Sequence, residues 1–184
     1  MARFLYSKPV AAARLPWSLA KKMLPELSVH DNHLVAYTVL ANERKIVLQT
    51  VFRDREPNEF TDVVFDEVLA YHFENDLFGT IIFDIEEVDL TALLKEHAAM
   101  FEKGWHYGWP RGWEKQKEEI TDFARRLDMR AFELSASYGM SGWIIARRMI
   151  KIKNEANKAM QPTPVDVTDR AGARSAPSTS VADL

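Results

Sequence analysis

The chain has 184 residues, 47% of them apolar and 11% aromatic, so it can bury one substantial core. Its formal net charge of only -3 provides no strong overall field, which argues against nucleic acid or an anionic membrane surface as the main partner. Because the chain contains no cysteine, disulfides, thiolate nucleophiles and cysteine-ligated metals are excluded, and a reducing cytoplasm is the expected compartment.

The first 25 residues are basic, with no acid before Glu26. Lys8, Pro9 and Arg14 interrupt the apolar run, so we expect this segment to belong to the folded protein rather than to a secretory signal. No run of 18 apolar residues occurs, and no membrane span is predicted. A short amphipathic helix is predicted at residues 16–24, with an apolar stripe of Leu15, Leu19 and Met23.

Four strands are predicted next. β-branched and aromatic residues dominate residues 33–40 and 46–53, and the polar residues 41–44 predict the turn of a hairpin. Apolar side chains at the odd positions between residues 63 and 73 indicate a half-buried strand. The alternation resumes at Ile81, Phe83 and Ile85 after a turn at residues 74–79, so a second hairpin is predicted.

Two helices and two further strands follow. Asp89 can cap a helix that Gly104 ends, and its apolar stripe is Leu90, Leu93, Leu94, His97 and Phe101. A second helix is predicted at residues 113–127, burying Ile120, Phe123, Ala124 and Leu127. Residues 132–138 and 143–152 predict strands joined by a turn at residues 139–142.

Together these elements predict an α+β fold. Short turns between strands favour an antiparallel sheet of about six strands, with helices packed on one face, in the order αββββααββ. We expect residues 1–156 to form a single domain. Residues 157–184 show no apolar period and contain Pro162, Pro164 and Pro177, so a disordered C-terminal tail is predicted.

The amino-acid sequence of this tail is similar to a known type of tail. The run Asn157-Lys158-Ala159-Met160-Gln161-Pro162-Thr163-Pro164, continuing to Leu184, resembles the C-terminal tail shared by bacterial integron gene-cassette proteins, where it is similar to read-through of the cassette's recombination site. The resemblance implies that residues 1 to about 156 are cargo of a mobile element, typically small, cytoplasmic and of unknown function. The body resembles small immunity-type domains through Val64-Phe65-Asp66-Glu67-Val68 and Tyr71-His72-Phe73-Glu74.

One aromatic loop between the predicted helices is the leading candidate site. It contains Trp105, His106, Tyr107, Trp109, Arg111 and Trp113. Aromatic and arginine side chains anchor partners at protein interfaces, so a protein-binding surface is one interpretation. The rings could instead pack the end of the sheet, or line a pocket for a small molecule or a nucleobase.

Clusters of histidine and acidic residues are further candidates for chemical sites. If residues 74–79 turn a hairpin, one face of it would carry His72, Glu74, Asp84 and Glu86, which could hold a hard cation, although such acids usually form a solvated face. His97 lies on an apolar stripe, which favours a core histidine over a base. No nucleotide-binding, nucleophile-elbow or zinc-protease motif occurs, and no cofactor or metal is predicted.

Two functions remain open. The first is a protein-binding or immunity-like module acting in the cytoplasm, with the 105–113 loop as its contact surface and a protein partner rather than nucleic acid or membrane. The second is a small ligand-binding protein or enzyme whose aromatic pocket uses His72, His97 or His106 as acid or base. The absence of a recognisable catalytic constellation favours binding. A large exposed aromatic patch would indicate a homodimer.

Overall fold

A computed structural model describes residues 27–155. Within this range the chain forms one antiparallel sheet of eight strands and three α-helices, so the fold is α+β, as predicted. The predicted helix at residues 16–24 and the predicted tail at residues 157–184 lie outside the described range. Of the helices between residues 27 and 155, none has the length and apolar character needed to cross a membrane.

The element bounds are as follows. The strands are β1 His33–Leu40, β2 Lys45–Phe52, β3 Glu59–Asp66, β4 Ala70–Glu74, β5 Ile81–Val88, β6 Arg130–Tyr138, β7 Ser141–Ala146 and β8 Arg148–Lys153. The helices are α1 Leu90–Glu96, α2 Ala98–Trp105 and α3 Ile120–Arg126, and a 3-10 turn, Ala41–Glu43, joins β1 to β2.

The expectation of about six strands is corrected to eight, because two predicted strands are each divided. The strand predicted at residues 63–73 falls into β3 and β4, which are separated at Glu67, a non-glycine residue with a φ of 54°. The strand predicted at residues 143–152 falls into β7 and β8, which are separated at Arg147. Apolar residues continue on both sides of each break, so the sequence pattern does not reveal it.

The second predicted hairpin is wrong. The strand order is β4-β7-β6-β5-β1-β2-β3-β8, so two strands separate β4 from β5. β4 pairs instead with β7, whose residues from Trp143 to the end of the strand are all buried. Because β3 pairs with β8 while β4 pairs with β7, two continuous chain segments run side by side through both halves of the sheet.

The two breaks lie beside each other and are tied together. The Arg147 backbone N–H donates to the Asp66 carbonyl at 3.2 Å, and the Leu69 N–H donates to the Ile145 carbonyl at 2.8 Å. The Arg147 guanidinium donates to the Glu67 carboxylate at 2.8 Å and also to the Leu127 carbonyl at the end of α3. This ion pair joins the two bends and also holds the end of a helix.

The halves of the sheet fold against each other around the main core. β2 and β3 face β5, β6 and β7, and the Phe65 and Phe132 rings meet across the core at 5.6 Å. Each large side chain buried here contributes about 1.5–3 kcal/mol of hydrophobic free energy. The fully buried members of this core include Ile46, Leu48, Val63, Phe65, Ile82, Ile85, Leu134 and Ile144.

The helices cover the other face of one half only. α1 and α3 bury the predicted apolar positions Leu93, Leu94, Phe123 and Ala124 in a second cluster with Trp143 and Ile145 of β7. The predicted helix at residues 90–104 is divided at His97, and the helix predicted at residues 113–127 begins only at Ile120. Residues 113–119 form turns instead, in which the Trp113 indole donates to the Glu118 carbonyl at 3.0 Å.

Gly142 permits β4 and β7 to pair at their observed separation. Its φ is 149°, and a Cβ at this position would overlap the His72 carbonyl oxygen. Gly79 also has a positive φ, of 83°, but an added Cβ would meet nothing there. We expect Gly142→Ala to lower the free energy of unfolding by roughly 2–4 kcal/mol, and Gly79→Ala by only about 1 kcal/mol. Urea denaturation followed by circular dichroism measures both; equal losses would contradict the close approach.

Candidate functional site

β1 is an exposed strand with an open side. It pairs with β2 along most of its length but with β5 only at His33, next to the Leu34 N–H that donates to the Thr80 carbonyl. Residues 35–39 are five consecutive exposed residues, and none of them is charged. Exposed edge strands usually carry charges or proline that discourage pairing with other chains. This segment has neither.

A groove of about 550 Å³ lies between β1 and β4, which we call the β1/β4 groove. β4 pairs with β7 on one side only, so within residues 27–155 no second strand pairs with it. Strands on both sides of the groove therefore have an edge that no described strand occupies. The groove is lined by Tyr37, Val39, Tyr71, His72, Phe73, Asp76 and Trp109.

A hydrogen bond fixes the polar end of the groove. The Tyr37 hydroxyl donates to Asp76 Oδ2 at 2.7 Å. This hydrogen bond to the carboxylate raises the pKa of Tyr37 above its ordinary value of 10.0, and partial burial and the negative charge of Asp76 act in the same direction. The hydrogen bond therefore orients a carboxylate at the edge of an aromatic surface.

Trp109 forms one wall of the groove and is held from behind. Its indole stacks on the Phe101 ring of α2 at 5.0 Å with an interplanar angle of 6°. The Trp109 N–H donates to the Gly104 carbonyl at 3.1 Å, which turns the chain back over the end of α2. A Cβ at Gly104 would overlap the indole, so this position must lack a side chain for the ring to pack as it does.

The six predicted site residues do not converge. Trp109 alone lines the groove, while Trp113 is buried, with 7% of its surface exposed. Trp105 is half-buried, with the Lys115 ammonium 5.8 Å from its ring. His106, Arg111 and Tyr107 are exposed, the last at 84%.

The residues considered for metal binding are also separated. His72 and Glu74 lie on β4 while Asp84 and Glu86 lie on β5, with two strands between them, so the shared hairpin face does not exist. No group of three or more histidine or acidic side chains in the described part of the chain is arranged to hold a metal ion.

The histidines have different surroundings. The His72 and His97 rings both lie against the Trp143 indole, at 6.1 and 5.2 Å between ring centroids. His106 packs on the edge of Trp105 at 5.2 Å. Of these three, His72 is the one that lines the groove.

A smaller depression of about 280 Å³ lies near the β2–β3 loop and the end of β8. Arg55 and Glu59 on its rim pair with each other at 3.0 Å. Among the described residues, Phe60 is the one aromatic residue in its lining, so it offers less aromatic surface than the β1/β4 groove.

Sequence reasoning missed most of the groove. Alternation predicts Tyr71 and Phe73 on a half-buried strand face and Tyr37 in a hairpin, but it does not predict that these rings border one groove. The uncharged run at residues 35–39 was the available signal, but whether a strand is covered depends on strand order. Sequence alone did not supply that order.

The fit between Gly104 and Trp109 can be tested by substitution. Gly104→Ala favours the helix by about 1 kcal/mol but forces the indole away, and we expect a net loss of about 1–3 kcal/mol in stability. In a Trp109→Leu background most of this loss should disappear, although the added Cβ would still lie 3.2 Å from the carbonyl oxygen of residue 109. Denaturant unfolding of the four proteins measures the difference; a loss of equal size without the indole would contradict the proposed contact.

The Tyr37–Asp76 hydrogen bond can be tested by alkaline titration. The raised pKa means that the bond stabilises the fold below pH 10.0 and that its contribution is lost as pH rises through the folded-state pKa. We expect Asp76→Asn to return the pKa of Tyr37 toward 10.0. Tyr37 is one of five tyrosines, so its own signal must be isolated. The tyrosinate absorbance of a Tyr37→Phe variant is subtracted from that of the natural chain, and the same subtraction is made with Asp76→Asn present in both proteins. An unchanged midpoint would contradict the bond.

Comparison with known proteins adds no identification. No protein-family model, no curated protein and no solved structure matches the chain. The function must therefore be argued from the groove and the strand edges that border it.

Proposed function

We propose that this chain is a protein-binding module that takes an extended segment of a partner protein along β1 and into the β1/β4 groove. The observation that supports the proposal is the uncharged, exposed run at residues 35–39 beside an aromatic groove. Such an edge attracts other strands unless a specific partner covers it.

Strand addition explains how both features would be used together. The open side of β1 presents backbone N–H and C=O groups, and a segment paired there gains main-chain hydrogen bonds. Alternate side chains of the added segment would point toward one face, where Tyr37, Tyr71 and Trp109 offer ring surface. Backbone pairing supplies affinity, and the groove supplies selectivity.

The aromatic loop takes part through one wall and one rim. Trp109 lines the groove, and the exposed residues His106, Tyr107 and Arg111 lie in the same loop on either side of it. Trp105 and Trp113 pack with the helices and hold that turn in place. In this proposal the loop is part of the surface that contacts the partner protein. The chain would then act as an immunity-like module in the cytoplasm.

The alternative is a small-ligand site or an enzyme, and one observation favours it: His72 lines a groove whose volume suits a small molecule. His97 and His106 do not line the groove, and the Asp76 carboxylate accepts its hydrogen bond from Tyr37 rather than from His72. A general acid or base needs a partner that orients it, and among the described residues His72 has a ring contact with Trp143 rather than such a partner. Binding is therefore the better supported function.

Selection from a displayed library of random dodecapeptides on the full chain tests the proposal. We expect enriched peptides whose affinity falls about five- to thirtyfold for Tyr71→Ser, because loss of an aromatic anchor removes about 1–2 kcal/mol. Amide hydrogen exchange of residues 35–39 should slow when such a peptide binds.

Tyr138→Ser is the matched control, since Tyr138 is also an exposed strand tyrosine but does not line the groove. Its affinity for the peptides should equal that of the natural chain. If no peptide is enriched, or if enriched peptides bind Tyr71→Ser and the natural chain equally, the proposal is wrong. If the chain forms a dimer without peptide, and residues 35–39 are protected from hydrogen exchange in that dimer, then the strand that pairs with β1 belongs to a second copy of the chain and not to another protein.

A further inference from the structure

Asp76 is a carboxylate in the groove without a cationic partner in the described part of the chain. Ten ion pairs occur among residues 27–155, and Asp76 belongs to none of them. Among residues 27–155, its carboxylate accepts one hydrogen bond, from the Tyr37 hydroxyl to Oδ2. A single neutral donor leaves most of the acceptor capacity of a carboxylate unused.

The rings around Asp76 form a connected surface. The Tyr37 ring meets Phe73 edge-on at 5.7 Å, and the Tyr71 ring meets the same Phe73 at 5.3 Å. Trp109 has one indole face against Phe101, so its opposite face and edges are those that a groove ligand can contact. Aromatic faces attract cations through their quadrupole, and tryptophan and tyrosine do so more strongly than phenylalanine.

The charges of the groove select against other ligands. Within residues 27–155 the groove lining contains no lysine or arginine, so an anionic group would meet Asp76 without compensation there. A wholly apolar side chain would remove water from the carboxylate and give nothing back, which is costly for an ion. A basic side chain satisfies both the carboxylate and the rings.

We propose that the β1/β4 groove holds a lysine or arginine side chain of the partner segment, with its cation at Asp76 and its aliphatic stem across Tyr37, Tyr71 and Trp109. This inference rests on the proposed function and specifies the anchor of the bound segment. A long basic side chain lies with its apolar stem on apolar surface and its charged end at a polar site, as this groove allows. The volume of about 550 Å³ admits such a side chain with neighbouring residues of the segment.

Removal of the charge from either member of the proposed ion pair makes the assignment testable. The probes are the dodecapeptides selected on the full chain, together with copies in which each lysine or arginine is replaced by norleucine. We expect one fixed position to be basic across the enriched peptides. Its replacement should weaken binding to the natural chain by about tenfold, because norleucine keeps an aliphatic stem but loses the ion pair with Asp76 and the attraction of the cation to the rings.

A double-mutant cycle separates the anchor from general attraction. In Asp76→Asn the carboxylate is lost with its shape kept, and the basic and norleucine peptides should differ far less than on the natural chain. Asp54→Asn removes one exposed acid outside the groove and should leave the full difference in place. Equal coupling in both variants would overturn the inference, since the attraction would then be long-range.

The outcomes distinguish this inference from the function on which it rests. Peptides that need Tyr71 but carry no fixed basic residue, and that bind Asp76→Asn normally, would sustain the binding module and overturn the cationic anchor. Failure of every peptide would overturn both. Lys21→Gln with Lys22→Gln in the full chain tests a competing occupant: a tenfold rise in peptide affinity would assign the groove to the chain's own basic segment rather than to a partner.

Discussion

The paired bend at Glu67 and Arg147 is the constraint on which the architecture depends. Two long segments run antiparallel and change direction at the same level, and the ion pair between these two residues joins the bends. Since both segments bend together, the sheet folds back and encloses a core between its own halves. A flat sheet of the same strands would need another layer to cover that face.

The same bend separates the two strands that border the groove. β4 leaves the half that contains β1, β2 and β3, so the far side of β4 and the open side of β1 face solvent beside each other. The helices do not close this gap, because they pack on β7 and the adjoining strands. The loop after α2 reaches it through Trp109, which Phe101 supports from the core side. The bend that folds the sheet therefore also leaves the groove between β1 and β4 open.

Local patterns predicted what local forces determine. The β1–β2 hairpin, the turn that joins it, and the buried helical positions Leu93, Leu94 and Phe123 follow from alternation and period, and the structure contains them. The division at Glu67 had no such signal, because a non-glycine residue with positive φ is held there by contacts distant in sequence. As a result Phe65 and Leu69, which alternation assigned to one face, pack in different clusters. The groove depends on strand order, so of its lining only Trp109 and His72 are predicted from the sequence as candidate site residues.

Pairing of β3 with β8 also governs the order in which this protein can be completed during synthesis. The two strands join residues more than 80 positions apart, as in the contact of Asp66 with Arg148, whereas β1, β2 and β3 are joined by short connections. A nascent chain on the ribosome can therefore form its first three strands early, but the outer edge of β3 waits for nearly the last residues of the body. Until β8 is made, the outer edge of β3 is unpaired in addition to the open side of β1. Strand pairing with neighbouring nascent chains is therefore most favoured during that interval.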